Sequence, residues 1–472
     1  MAQIAELNRI FAGGRWTPAT GADIMHVYNP ADGSRIGRVT SASVHDVEHA
    51  SLAALEALAG WRDTAVSERA AIVARIADGL AARAEELADG ITLEVGTPRH
   101  KCVRMQVTPA VETFKSAARL GPAVLVDEQL DATRIRKVPV GVVACITPWN
   151  YPLFQIASKV AAALMAGCTI VLKPSEVAPT NAAILADVAS AAGLPPGVFN
   201  VVFGNGPTTG EALISHPAID FVSFTGSTRA GARIAAIAGQ HIKQVSLELG
   251  GKSASLVLPG VDLQLAVSKT LEKSFQNSGQ TCAALTRLLV PSDALAQVSA
   301  SLKTHVASFP VGNPAEASTV LGPVATADQR DKVLSLTAAA RKSGAELLAS
   351  GPVFGDPSGF YVPAEAYLTD ADGGLAQEEV FGPVLAVVPY SDIDEAVAMA
   401  NNSPYGLSGA VWGPDRDEAG KVAARIRTGS VSVNGAATHP DAPFGGFRMS
   451  GFGRERGAHG IEEFVTTQSI HF

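Results

Sequence analysis

From about residue 140 onward, apolar and polar positions alternate in short blocks. Apolar runs at 140–146, 168–172, 199–203, 219–224 and 244–249 are too short for helices and predict buried strands. The segments between them, 153–165, 181–192, 206–215 and 229–238, carry helical spacing. Strand and helix in turn, joined by short loops, predict a parallel sheet covered on both faces. Ligands bind such sheets beyond the carboxyl ends of the strands. Asn150, Lys173, Gly204, Thr225 and Glu248 all fall there. A second alternation follows, with strands at 254–258, 285–290, 384–388, 408–412 and 430–433. Its helices are expected at 262–275, from 294, at 393–401 and at 416–426, which predicts a second α/β domain. Two strand-like segments, 123–138 and 463–470, fit neither series. They read either as protruding strands that pair with a partner subunit or as edge strands on their own chain.

Composition narrows the class. A chain of 472 residues, 47% hydrophobic, is too long for one ordinary domain, so two domains with a small appendage are expected. A net charge of −8 gives no basic footprint, which argues against nucleic acid as a partner. The longest apolar helix-like stretch, 160–166, is far too short to span a bilayer, so no membrane partner is expected. The first residues lack a basic stretch leading into an apolar one and do not read as a secretion signal. Four cysteines without ligand spacing suggest reduced thiols in a cytoplasmic protein. Ten histidines show no ligand spacing either, and no metal is implied.

Candidate chemistry concentrates in two segments. Asn277-Ser278-Gly279-Gln280-Thr281-Cys282 puts a thiol after a polar turn, and about 34 residues upstream Glu248 ends an apolar run before Gly250 and Gly251. A thiol nucleophile and a separate carboxylate base suit two-step chemistry through a thioester. Cys145 and Cys168 sit in apolar surroundings and read as packing residues. Other motifs have both a functional and a plainer reading. Gly204-Asn205-Gly206-Pro207-Thr208-Thr209-Gly210 approaches a phosphate loop, yet its spacing is irregular and a capped turn is the simpler account. Lys173-Pro174-Ser175-Glu176 at a strand end can hold ribose hydroxyls or be a solvated charge pair. Thr225-Gly226-Ser227 suits a pyrophosphate or an ordinary helix cap. Thr147-Pro148-Trp149-Asn150 presents an amide that suits an oxyanion hole or a cap. Glu379 and Phe381 could clamp a nucleotide ribose or belong to a charged turn.

Taken together, these residues resemble the NAD(P)-dependent aldehyde dehydrogenase superfamily. The resemblance runs from Gly13-Gly14-Arg15-Trp16 and Asn29-Pro30 to Pro443-Phe444-Gly445-Gly446-Phe447-Arg448-Met449-Ser450-Gly451. It implies a Rossmann-like NAD-binding domain at 1–122 and 140–247 and an α/β catalytic domain at 248–446. It also implies a small β oligomerisation element at 123–139 and 457–472, hence a homodimer or homotetramer. By resemblance Cys282 is the nucleophile, Asn150 holds the oxyanion and Glu248 activates the hydrolytic water. The cofactor contacts would be Thr147, Trp149, Lys173, Ser175, Glu176, Gly206, Gly226, Ser227, Glu379 and Phe381. Glu176 would repel a 2′-phosphate, favouring NAD over NADP.

Substrate contacts are expected from Tyr151, Phe154, Ser158, Gln276, Thr281, His439 and Phe444. Ser158 stands where many members carry tryptophan, and Gln276 where an aromatic is common. A wider or more polar pocket, suited to an aromatic or polar aldehyde, is therefore expected. Without an arginine at Ser158 or in 276–283, acidic semialdehydes are disfavoured. The alternatives are a coenzyme A-acylating or semialdehyde-specific dehydrogenase, which the presence of Glu248 weighs against in the acylating case, or a thiol esterase.

Overall fold

The computed structural model describes residues 6–472. The reading of the N-terminal segment as no secretion signal rests partly on residues 1–5, which lie outside the described residues.

The first alternation folds as an eight-stranded sheet whose centre is five parallel strands. In spatial order these are Gln244–Glu248, Phe221–Thr225, Val142–Ile146, Thr169–Lys173 and Phe199–Val201. The first of these five in the chain, Val142–Ile146, lies in the middle, and the chain winds outward to both sides. The point where the winding reverses lies between Val142–Ile146 and Phe221–Thr225, and opens a crevice at their carboxyl ends. Successive side chains of these strands enter different cores. Val143, Cys145, Ile170 and Leu172 join one cluster, and Val142, Ala144, Ile146 and Val171 join the other. Both faces are dry, which is why the strands read as continuous apolar runs. One face is covered by helices Val66–Ala82, Thr108–Val124, Pro152–Ala166 and Thr180–Ala191, the other by Val44–Asp63 and Thr228–Gln240.

The second alternation gives a seven-stranded sheet: Glu346–Ser350, Glu365–Leu368, Val384–Tyr390, Arg287–Pro291, Ala254–Val257, Ser408–Trp412 and Ser430–Val433. Only Glu346–Ser350 runs antiparallel to its neighbour. After this sheet the chain returns to the first, where Gly451–Phe452 pairs with Leu247 and Glu248. That return carries residues 453–456 to the crevice.

Most expected elements are present with small shifts. The helix expected at 206–215 opens instead as a wide turn over Gly206–Gly210, capped by Asn205, and continues as the short helix Glu211–Ser215. The helix expected at 416–426 ends at Ala423. Residues 123–124 finish the helix Thr108–Val124, so the protruding element starts later, as Glu128–Leu130 and Thr133–Pro139. Thr133–Pro139 pairs antiparallel with Val465–His471, and this three-stranded sheet stands apart from the other two. No helix among the described residues is long and apolar enough to cross a membrane.

Candidate active site

The nucleophile candidate is delivered by a strained loop. Asn277, Ser278 and Gly279 all have left-handed backbone, with φ of 52°, 57° and 75°. Buried hydrogen bonds from distant segments hold them there. Thr97 Oγ1 donates to Asn277 Oδ1 at 2.9 Å, Asn277 Nδ2 donates to the Asn150 carbonyl at 2.9 Å, and Ser278 Oγ donates to the Gly322 carbonyl at 2.8 Å. Gln280 Oε1 accepts from the Ala325 N–H at 2.8 Å. At Gly279 a Cβ would stand 2.0 Å from the Gly382 carbonyl oxygen, so no other residue fits.

Cys282 emerges half-buried into a cleft that it shares with Trp149, Asn150, Gly226, Ser227, Glu379 and Phe381. This is the crevice at the winding reversal. Asn150 Nδ2 donates to the Gln280 carbonyl at 2.9 Å. One of its two amide hydrogens is thereby fixed and the other left over. Burial pushes the Cys282 thiol up to about 12, and the carboxylates of Glu248 and Glu379 push the same way, against Arg456.

Glu248 ends its strand almost wholly buried, and neither of its carboxylate oxygens has a partner among the described residues. Burial raises its pKa well above the usual carboxylate range. Glu455 adds to the rise, and Lys159, Arg454 and Arg456 oppose it. Glu455 is itself tied to Lys159 in a buried ion pair. A carboxyl with free oxygens in a dry site is suited to taking a proton from water.

The rim expected to hold a nucleotide is assembled, though unevenly. Trp149 and Phe381 meet edge to face at 5.6 Å, with Phe381 held at φ 58°. Glu379 Oε1 accepts from the Gly251 N–H at 2.9 Å, and a Cβ on Gly250 would collide with that carboxylate. Ser227 caps the helix Thr228–Gln240 by accepting from the Ala230 N–H. Lys173, Ser175, Glu176 and Gly206 stand at neighbouring strand ends, outside the residues lining the cleft. Lys173 Nζ donates to the carbonyls of Pro174 and Gly204 at 2.9 and 2.7 Å and lies 3.6 Å from Glu176. The hydroxyls of Thr147 and Thr225 are buried with no partner among the described residues. Orphaned donors at the carboxyl ends of two adjacent strands, beside a cleft, fit a bound polar cofactor.

The expected substrate residues divide into groups. Tyr151 OH bonds to Thr281 Oγ1 at 2.7 Å and accepts from Gln276 Nε2 at 3.0 Å. Phe154 and Ser158 line a separate cavity of about 310 Å³, and Phe444 packs on Arg456 at its edge. His439 is exposed and does not line that cavity; its Nδ1 accepts from the Asp441 N–H at 3.1 Å. Sequence reasoning missed Lys159, Glu455 and Arg456. Lys159 had left a signal, as the lone charge in the otherwise apolar helix Pro152–Ala166.

The chain is similar over nearly its whole length to known proteins. The model of the aldehyde dehydrogenase family matches residues 16–470. The chain is 40% identical to a 3-succinoylsemialdehyde-pyridine dehydrogenase of a Pseudomonas species, with 98% of each chain covered. It superimposes with a TM-score of 0.97 on a mutant aldehyde dehydrogenase C of Pseudomonas syringae complexed with NAD+ and octanal, at 42% identity. That match covers 100% of this chain and 97% of the other. The TM-score is 0.95, at 36% identity, with an NAD+-complexed aldehyde dehydrogenase of Mycobacterium tuberculosis, covering 99% and 98% of the two chains. The protein is thus an oxidoreductase acting on aldehydes. The chain belongs to the aldehyde dehydrogenase family.

Two outcomes are expected from this site. Gly279→Ala should lower stability by about 2 kcal/mol or more, from left-handed strain plus overlap with the Gly382 carbonyl; an unchanged midpoint in urea unfolding would contradict the loop's role. Glu455→Gln removes a negative neighbour of Glu248. The acid limb of the kcat–pH profile should therefore move to lower pH, and a move to higher pH would refute the coupling.

Proposed function

We propose that the chain oxidises an aldehyde to a carboxylic acid with NAD, through a thioester on Cys282. The observation that carries this reading is that Cys282 and Asn150 line one crevice, with Glu248 near enough to act on the thiol through its charge, next to strand ends with orphaned hydroxyls. The thiol of Cys282 gives up its proton to Glu248, which passes it to solvent; the thiolate adds to the carbonyl carbon, and the spare Asn150 amide hydrogen stabilises the oxyanion. Collapse of that adduct leaves the acyl group on sulfur as a thioester, and NAD, when bound, supplies the hydride acceptor. Glu248 takes a proton from water, which adds to the thioester. The acid leaves and the thiol is restored.

Residues Thr147, Trp149, Gly226, Ser227, Glu379 and Phe381 hold the cofactor at the crevice, and Lys173, Ser175, Glu176 and Gly206 hold it further along the rim. In this reading 1–122 and 140–247 form the NAD-binding domain and 248–446 the catalytic domain. The free, mostly buried thiols fit a cytoplasmic protein. The strand Val465–His471, unpaired along its outer side, fits assembly into a homodimer or homotetramer. For the substrate, the polar group of Tyr151, Gln276 and Thr281 and the small Ser158 favour an aromatic or polar aldehyde. The Pseudomonas relative, named for a pyridine-bearing semialdehyde, supports a bulky substrate of that kind.

The decisive measurement follows NADH formation across a panel that includes benzaldehyde and hexanal. Cys282→Ser should abolish turnover. Glu248→Gln should let acylation proceed and slow hydrolysis, so that an acyl adduct accumulates and is seen by mass spectrometry. Turnover retained in Cys282→Ser, or unimpaired turnover without an adduct in Glu248→Gln, defeats the mechanism. Retained esterase activity with no NADH from any aldehyde would favour a thiol hydrolase instead. The half-exposed carboxylate of Glu176 should disfavour a 2′-phosphate. Glu176→Gln is expected to raise kcat/KM for NADP+ relative to NAD+ by about tenfold, and an unchanged ratio would remove Glu176 from cofactor choice.

A further inference from the structure

The cavity holding Phe154 and Ser158 is mainly apolar, walled by Pro109, Ala117, Ala162 and Ile461. One cation enters it, near enough to Cys282 for its charge to act on that thiol. The guanidinium of Arg456 sits 4.9 Å from the ring centre of Phe154 and 4.6 Å from that of Phe444. Its Nε is buried with no partner, and no ion pair satisfies it among the described residues. The neighbouring charges are already engaged. Arg454 donates to the carbonyls of Gly446 and Gly453, and Glu455 is tied to Lys159. Arg456 also has φ of 70°, a backbone conformation that only strong surroundings maintain in a non-glycine residue.

The acids around this cavity leave the guanidinium available. Glu112 lies exposed at the rim and accepts from Lys115. Asp441, at the mouth, accepts from Ser116 and Arg119. Glu248 and Glu455 lie on the crevice side and act on Arg456 through their charge, without a hydrogen bond to it. A guanidinium flanked by two aromatic rings keeps its hydrogen-bonding edge free, and that edge matches a carboxylate with two parallel bonds. An alkyl tail in the same cavity would leave the buried cation unpaired, which penalises the wrong substrate strongly.

We propose that Arg456 sets substrate specificity by binding an oxygen acceptor on the far end of the aldehyde, so that the preferred substrates are ω-oxo carboxylic acids. This rests on the aldehyde-oxidising reading above. The expectation against acidic semialdehydes looked for arginine at Ser158 and in 276–283; Arg456 supplies the cation from the segment that follows Gly451–Phe452.

The test compares kcat/KM with NAD+ for 5-oxopentanoate, 4-oxopentanal and hexanal in the wild type, Arg456→Leu and Arg456→Lys. The wild type should favour 5-oxopentanoate over hexanal by about tenfold or more. Arg456→Leu should erase that preference through the KM for 5-oxopentanoate, on top of a fall in kcat common to all three aldehydes because the Cys282 thiol loses a positive neighbour. Arg456→Lys should keep part of the preference. A wild-type preference for 4-oxopentanal over 5-oxopentanoate would overturn the carboxylate assignment. An equal fall for all three aldehydes in Arg456→Leu, or an unchanged ratio, would overturn the role of Arg456. If the wild type oxidises none of the aldehydes, the underlying reading fails. Turnover of hexanal without selectivity fails this inference alone. Calorimetry gives a second readout without cofactor: glutarate should bind Cys282→Ser protein and not the Cys282→Ser/Arg456→Leu protein, and equal binding to both would also overturn it.

Discussion

Everything at this site depends on a run of left-handed backbone, Asn277 to Gly279, kept in place by partners from three separate stretches of chain. Left-handed conformation costs an ordinary residue about 1–2 kcal/mol. Asparagine and glycine bear it best, and Ser278 is compensated by its bond to Gly322. The partners Thr97, Asn150, Gly322 and Ala325 belong to the helical layer, the first sheet's rim and the loops of the second sheet. The position of Cys282 is therefore fixed by the way these layers meet, and it moves if any of them moves.

The electrostatics around that cysteine are arranged in opposition. Burial and two carboxylates keep the thiol protonated, while Arg456 pulls the other way. Glu248 is raised by the same dryness and by Glu455, which is itself neutralised by Lys159. Burial thus disfavours the charged form of both groups. The dry surroundings also make those charges count for more than they would in water.

The sheets were legible because their strands are buried on both faces and so appear as unbroken apolar runs. The rim was legible because polar residues and glycines interrupt those runs where the strands end. Much else depends on contacts that local pattern does not reveal. The helices between residues 44 and 124 cover parts of both faces of the first sheet, yet carry no strand between them to mark the alternation. Strands Glu346–Ser350 and Glu365–Leu368 are separated by a segment containing Gly351, Gly355, Pro357 and Gly359, which hides their pairing. Lys159 and Glu455 form one ion pair across 296 positions. Arg456 lies beyond the last family motif read from sequence. Its importance comes from Phe154 and Phe444, which only the fold brings to it.

The four cysteines differ in one respect that reaches beyond catalysis. Cys102, Cys145 and Cys168 are fully sealed in packed cores, and burial holds each of their thiols up at about 12. Cys282 alone opens onto a cleft. A small alkylating reagent added to folded protein thus meets a single sulfur per chain. The label it leaves counts the chains in which the cleft at Cys282 is intact.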